Sequence, residues 1–180
     1  MADVAPEILT FSGHYFDFLQ PQDSHICIED IARALSQICR FTGHTRSFYS
    51  VAQHAVLVSR IVPPEDAWAG LHHDDAEAYL GDVARPLKLM LPDYRKIEAG
   101  VEAAVFAHFG VPFPLPPSVK HADMVMLATE RRDLMSPIGD WDLGVEPLPD
   151  YVILPLSPRR AEEMFLERYD ALQTQRVNAS

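Results

Sequence analysis

Apolar residues recur along most of this chain with the period of an α-helix, and that recurrence is the strongest limit on what it can fold into. Ile28, Ile31, Ala32, Leu35 and Ile38 follow the spacing of one helical face, which marks an amphipathic helix ending near Arg40. Val51, Ala55, Val58 and Val62 make a second stripe, opened by the capping-box pair Ser50 and Gln53. Pro63-Pro64 ends that helix, and a third is predicted from Pro64 or Glu65 to Leu80, with Gly81 as its C-cap. A fourth is predicted from an Asp93 cap to Phe109, and a fifth from a Ser118 cap to about Met135. A last helix opens at Ser157-Pro158, with Ala161, Phe165, Tyr169 and Leu172 on one side. That stripe reads as core or a subunit contact. Strand signals are confined to an aromatic stretch around Gly13 in residues 10–19, read as a hairpin or extended arm, and to residues 151–154 in the Pro- and Gly-rich segment 136–157. With no repeat and no linker, the expectation is one all-α domain over residues 1–180 with minor β structure near the N-terminus.

Charge narrows the function. The net charge of −11 argues against a nucleic-acid polymer as partner, because such binding rests on Lys and Arg neutralising phosphates. It leaves room for a small phosphorylated ligand, since a metal and a few cations make a local positive site. Cys27 and Cys39 have no zinc spacing and read as reduced thiols. No segment has the length and apolarity of a membrane span, and the first residues lack the basic and apolar regions of a signal peptide. A cytoplasmic protein is expected.

Four side chains stand out against the helical stripes. Asp74 lies on the inward stripe of Leu71 and Ala78, next to His73; His54 lies between Val51 and Val58; Asp123 lies among Val119, Met126 and Leu127. A buried carboxylate needs a cation or strong donors. Taken singly, each residue also reads as a hydrogen-bonded core group, cap or ion-pair partner. Together they are metal-competent groups on three helices turned toward one core, which is how helical bundles build metal sites. Two imidazoles and two carboxylates suit one divalent manganese, cobalt, zinc or iron ion, magnesium less so. Glu77 shares the side of His73 and Asp74 and is the candidate acid/base residue.

The order His54, His73-Asp74, Asp123 resembles the HD-domain phosphohydrolase family. Residues 73–88, HisAspAspAlaGluAlaTyrLeuGlyAspValAlaArgProLeuLys, are similar to the block HD-x-x-E-x-x-x-GD-x-x-x-P-x-K of its 5′-deoxynucleotidase-like branch, and Arg40-Phe41 precede the first His as they do there. The resemblance covers about residues 28–135. It implies an HD-type helical bundle in which His54, His73, Asp74 and Asp123 hold one divalent metal. It implies that Arg40 binds a substrate phosphate with Phe41 packed nearby, that Glu77 is the acid/base residue, and that Asp82 hydrogen-bonds the sugar 3′-hydroxyl. Lys88 is a second candidate for a phosphate contact. Arg40 alone would also read as a cation closing a helix dipole, and Asp82 as a loop-capping acid.

The pattern departs from the branch in its HisHisAspAsp run, where His72 and Asp75 flank the expected pair. It departs also in the short interval between His54 and His73. His44 and Arg46 precede the site as phosphate-channel candidates or surface residues; His14, His25, His108 and His121 belong to no constellation. The implied activity is metal-dependent conversion of a deoxynucleoside monophosphate to deoxynucleoside and phosphate, with a small-molecule nucleotide as substrate and a homo-oligomer as the expected assembly. The alternatives are a deoxynucleoside triphosphate triphosphohydrolase, a signalling-nucleotide hydrolase and a non-catalytic nucleotide-binding module.

Overall fold

The structure is a computed structural model that describes residues 5–139 and 141–179. A small hairpin pairs β1 (Glu7–Leu9) with β2 (Tyr15–Asp17), Ile8 opposite Phe16. Its turn docks on the first helix, because Asp30 accepts from both the backbone and the hydroxyl of Ser12 at 2.7 Å. Phe16 is fully buried and stacks on Tyr79, with ring centroids 3.8 Å apart.

The predicted helices are present, with corrected limits. Helix α1 spans Ile28–Gln37 and stops short of Arg40, because Ile38 turns extended and Cys39 bridges to Ser50. Arg40–Gly43 instead form a tight turn in which Phe41 and Thr42 adopt positive φ. Helix α2 (Val51–Ile61) is capped by Ser50, whose hydroxyl accepts from the Gln53 N–H. The Gln53 side chain does not close the box. It bonds the backbone of Leu154 and Leu156 and so pins the distant 136–157 segment to α2.

The third predicted helix is broken. It comprises a 3-10 turn at Pro64–Asp66, α3 (Ala67–His72), a tightened turn at residues 73–76, and α4 (Glu77–Leu80) closed by Gly81 at φ 77°. A short helix α5 (Arg85–Lys88), not foreseen, leads to α6 (Pro92–Phe109). Asp93 is not the α6 cap; Pro92 starts that helix and Asp93 lies in its first turn. Helix α7 spans Pro117–Leu134, and Ser118 does not cap it, because its hydroxyl donates to the Asp66 carboxylate. Helix α8 spans Pro158–Ala179, and Ala161, Phe165 and Leu172 are core residues. Residues 151–154 form no strand; Asp133 accepts from Ile153 N at 2.8 Å and Arg132 donates to Leu148 O at 2.7 Å, which fastens the segment along α7.

Helix α2 is the axis of the bundle, buried from Val51 to Ser59 and packed against α1, α3, α7 and α8. Its approach to α3 is close at Gly70, where a Cβ would lie 3.1 Å from both Ser59 Cα and Val62 Cγ2. The packing of α2 on α3 also sets His54, near the start of α2, close to His73, just past the end of α3, with ring centroids 5.2 Å apart. Among the described residues no helix is long and apolar enough to cross a membrane.

Candidate metal centre and its cleft

Three elements deliver the four expected ligands to one point. Helix α2 supplies His54, the turn after α3 supplies His73 and Asp74, and α7 supplies Asp123. His54 Nε2 lies 3.2 Å from Asp123 Oδ1 and 3.7 Å from Asp74 Oδ2, and His73 Nε2 lies 3.2 Å from Asp74 Oδ2. Donor atoms of His54, His73 and Asp123 all fall within 4.8 Å of one another. The histidines are buried, whereas Asp74 and Asp123 are partly exposed on the open side.

The fit to a metal rests on the second nitrogen of each ring. His73 Nδ1 pairs with Gly70 O at 2.9 Å and His54 Nδ1 pairs with Glu130 Oε1 at 2.5 Å. With Nδ1–H donating, each Nε2 presents its lone pair to the centre. Both Nε2 atoms are buried and without a hydrogen-bond partner among the described residues. Leaving such atoms unpaired is costly, so the mixed nitrogen and oxygen set fits a divalent ion.

Glu130 was missed in the sequence. It sits seven residues after Asp123, two turns along α7, fully buried, and accepts from Tyr49 OH at 2.9 Å and from Arg40 Nε at 3.2 Å. The spacing from Asp123 was its only signal. Arg40 spans the gap, with Nη1 3.5 Å from Asp74 Oδ2. Burial opposes the Arg40 charge, but Glu130 and then Asp74 hold it firmly protonated. Burial likewise opposes the Asp74 charge, and His73, His54 and Arg40 overcome it, holding the carboxyl well below the ordinary range. Burial and then Arg40 push His54 down, yet Glu130 and Asp123 more than reverse this, to about 9.

Glu77 behaves oppositely. Burial, then the charges of Asp74 and Asp82, push its carboxyl well above the usual range, and its buried Oε2 has no partner among the described residues. Asp82 is also raised by burial, with Arg40 opposing and Asp74 adding.

Direction separates the two pairs of the HisHisAspAsp run. His72 and Asp75 pair with each other, fully buried, and the His72 ring stacks on Phe109 at 4.8 Å and meets Trp68 at 4.3 Å. They belong to the core beneath α8, while His73 and Asp74 face the centre.

The centre opens into a cleft of about 830 Å³ lined by Arg40, Phe41, Asp74, Glu77, Asp82, Lys88 and Asp123, so the structure brings every expected substrate contact to one cavity. His44 and, unforeseen, Arg85 and Arg95 line it too. Arg46 does not; its guanidinium donates to Met135 O at 2.7 Å and fixes the loop. Lys88 Nζ is tethered by Glu98 at 2.5 Å. His14 and His25 stack on each other beside the hairpin, outside the cleft.

No protein-family model matches the chain. It is 46% identical over 168 residues, 92% of this chain and 94% of the relative, to a protein of Escherichia coli (strain K12) named "Uncharacterized protein YfdR". It is 36% identical over 121 residues, 62% of each chain, to "Uncharacterized protein RCAP_rcc00048" of Rhodobacter capsulatus.

Proposed function

We propose that this chain, which belongs to the family of YfdR, is a cytoplasmic metal-dependent phosphohydrolase of the HD-domain type acting on deoxynucleoside phosphates. A 5′-deoxynucleoside monophosphate is the preferred reading of its substrate. The observation that carries the proposal is the convergence of two buried, unpartnered imidazole Nε2 atoms on the carboxylates of Asp74 and Asp123, at the floor of a cleft that also holds Arg40 and Glu77.

The chemistry a divalent ion supplies in such a site is Lewis acidity toward the phosphoryl group and an acidified water. The protein's own groups account for the rest. Glu130 holds the Arg40 fork rigid, so its charge meets the phosphoryl oxygens without reorganisation. Water attacks phosphorus and the bond to the sugar oxygen breaks. The leaving oxygen takes its electron pair and the Glu77 proton; the proton shed by the attacking water restores Glu77. Asp82 is the acceptor for a sugar hydroxyl, and Lys88, kept in place by Glu98, is a second phosphate contact.

Cleavage of a deoxynucleoside triphosphate to release triphosphate is the second reading. It is favoured by Arg85 and Arg95, which line the same cleft as Lys88 and make no ion pair among the described residues. Product analysis separates the two. Metal-stripped protein is reloaded with manganese, cobalt, zinc or magnesium and offered deoxyadenylate and its triphosphate, with Asp74→Ala as control. Inorganic phosphate from the monophosphate, lost in the control, is the expected result. Intact triphosphate moves the assignment to the second reading. Metal-loaded protein that turns over neither substrate refutes both.

A further inference from the structure

Part of the cleft wall is aromatic surface that phosphate chemistry does not use. Phe41 and Trp141 both line the cleft, with ring centroids 6.4 Å apart and planes inclined by 48°. Each ring has a guanidinium against it. Arg40 Cζ lies 5.4 Å from the Phe41 centroid and Arg131 Cζ lies 5.2 Å from that of Trp141. Arg131 also donates to Gly139 O. Yet Trp141 remains 41% exposed. A large aromatic ring held in place and left open to a cleft is the usual mark of a recognition surface.

The backbone under Phe41 points the same way. Phe41 and Thr42 stand at φ 55° and 53°, a left-handed conformation that side-chain-bearing residues rarely adopt, and Gly43 continues it at φ 79°. Such strain persists where the surroundings over-determine it, and it gathers at ligand sites. Here it lets one short turn present Arg40 to the metal centre and Phe41 to the aromatic wall.

The spacing along α7 sets the scale. Asp123 at the centre, Leu127 on the cleft wall and Arg131 beneath Trp141 follow one another at intervals of four residues, so the polar and aromatic ends are about 12 Å apart along the helix. A phosphate bound at Arg40 therefore has room for a sugar before a planar ring reaches Trp141.

We propose that Phe41 and Trp141 form the subsite for the aromatic base of the substrate, and that Trp141 is a specificity-determining residue. This rests on the nucleotide reading of the same cleft. Its ligand class is a planar heteroaromatic ring joined to a phosphate through a sugar. Stacking on a π-face tolerates every base, so the subsite selects for the presence of a base and favours the larger purine rings by their area.

Binding tests the subsite without requiring turnover. Deoxyadenylate and deoxyribose 5-phosphate are titrated into the manganese-loaded full chain while tryptophan emission is followed. Deoxyadenylate quenches the emission and deoxyribose 5-phosphate does not. Trp141→Phe abolishes the quench, because the remaining Trp68 is only 7% exposed and lies outside the cleft, and it keeps near-native affinity by calorimetry. Trp141→Ala weakens deoxyadenylate about 5- to 100-fold and leaves deoxyribose 5-phosphate and metal content unchanged. A quench that survives in Trp141→Phe, or equal weakening of both ligands in Trp141→Ala, overturns the subsite. A base-dependent quench without phosphate release refutes the monophosphate-hydrolysis reading and leaves the subsite standing. Failure to bind deoxyadenylate overturns both.

Discussion

Exchanging Glu130 for Gln removes one charge from the most enclosed carboxylate of the centre and keeps its shape. The native group is fully buried and takes His54 Nδ1 at 2.5 Å, Tyr49 OH at 2.9 Å and Arg40 Nε at 3.2 Å, all in the role of acceptor. An amide offers one acceptor oxygen and one donor nitrogen, so it must turn N–H toward a group that is already donating. If the imidazole yields, Nδ1 gives up its proton to Nε2 and the lone pair no longer faces the centre. Loss of an outer partner of a ligating histidine costs about 10- to 100-fold in metal affinity. Stability falls as well, because Arg40 loses its nearer counter-ion. Removing one partner of a buried pair costs about 3–5 kcal/mol. Asp74 remains 3.5 Å from Arg40, so the low end applies, about 3 kcal/mol, or about 6–12 °C in Tm for a domain of this size. Manganese titration of metal-stripped protein measures the first effect, and melting in chelator measures the second. Tyr49→Phe is the control, since it removes the hydroxyl bond to Glu130 Oε1 while leaving the His54 contact to that oxygen in place. Glu130→Gln protein that melts early but binds manganese within twofold of the native protein would refute the argument that Glu130 orients His54.

The His54 imidazole, raised to about 9 in the metal-free chain, sets a pH window. A raised imidazole contributes stability in full below its unfolded value of about 6.5 and loses it as pH rises through about 9, some 3 kcal/mol in all. Metal-stripped protein should therefore melt progressively earlier between those limits, and calorimetry in buffers of different ionisation enthalpy should show manganese binding tighten and release a proton. Asp75→Asn should destabilise by about 3 kcal/mol with metal content intact, whereas Asp74→Asn should lose metal; the reverse pattern would assign the ligands to the wrong pair. Gly70→Ala forces a methyl to within 3.1 Å of the α2 backbone and should cost about 1–3 kcal/mol, seen as a lower urea midpoint at unchanged slope.

The apolar periods made most helices legible because burial of a stripe is decided locally, by residues three and four apart. Helix ends were less so, since the capping groups had other partners: Ser118 is taken by Asp66 and the Gln53 side chain by the 136–157 segment. The third helix is the instructive case. Its stripe of Leu71, Asp74 and Ala78 reads as continuous, and the break at residues 73–76 hardly disturbs it, because His73 and Ala76 keep right-handed helical angles while the backbone bonds shorten to three-residue steps, as from Glu77 N to Asp74 O. Such tightening eclipses residues three apart. It sets His72 on Asp75 and sends that pair into the core, while His73 and Asp74 turn to the centre. The single run HisHisAspAsp thus contains a structural pair interleaved with a candidate ligand pair, and only the local pitch separates them. Glu130 and Trp141 lay beyond this kind of reading. Glu130 sits in the charged run ThrGluArgArgAsp and resembles an exposed helical acid. What buries it comes from His54 and Arg40, 76 and 90 positions earlier. Periodicity finds the face a residue occupies; the charge that makes the face tolerable is supplied from elsewhere in the chain, and that pairing appears only once α2 and the Arg40 turn are seen to meet α7.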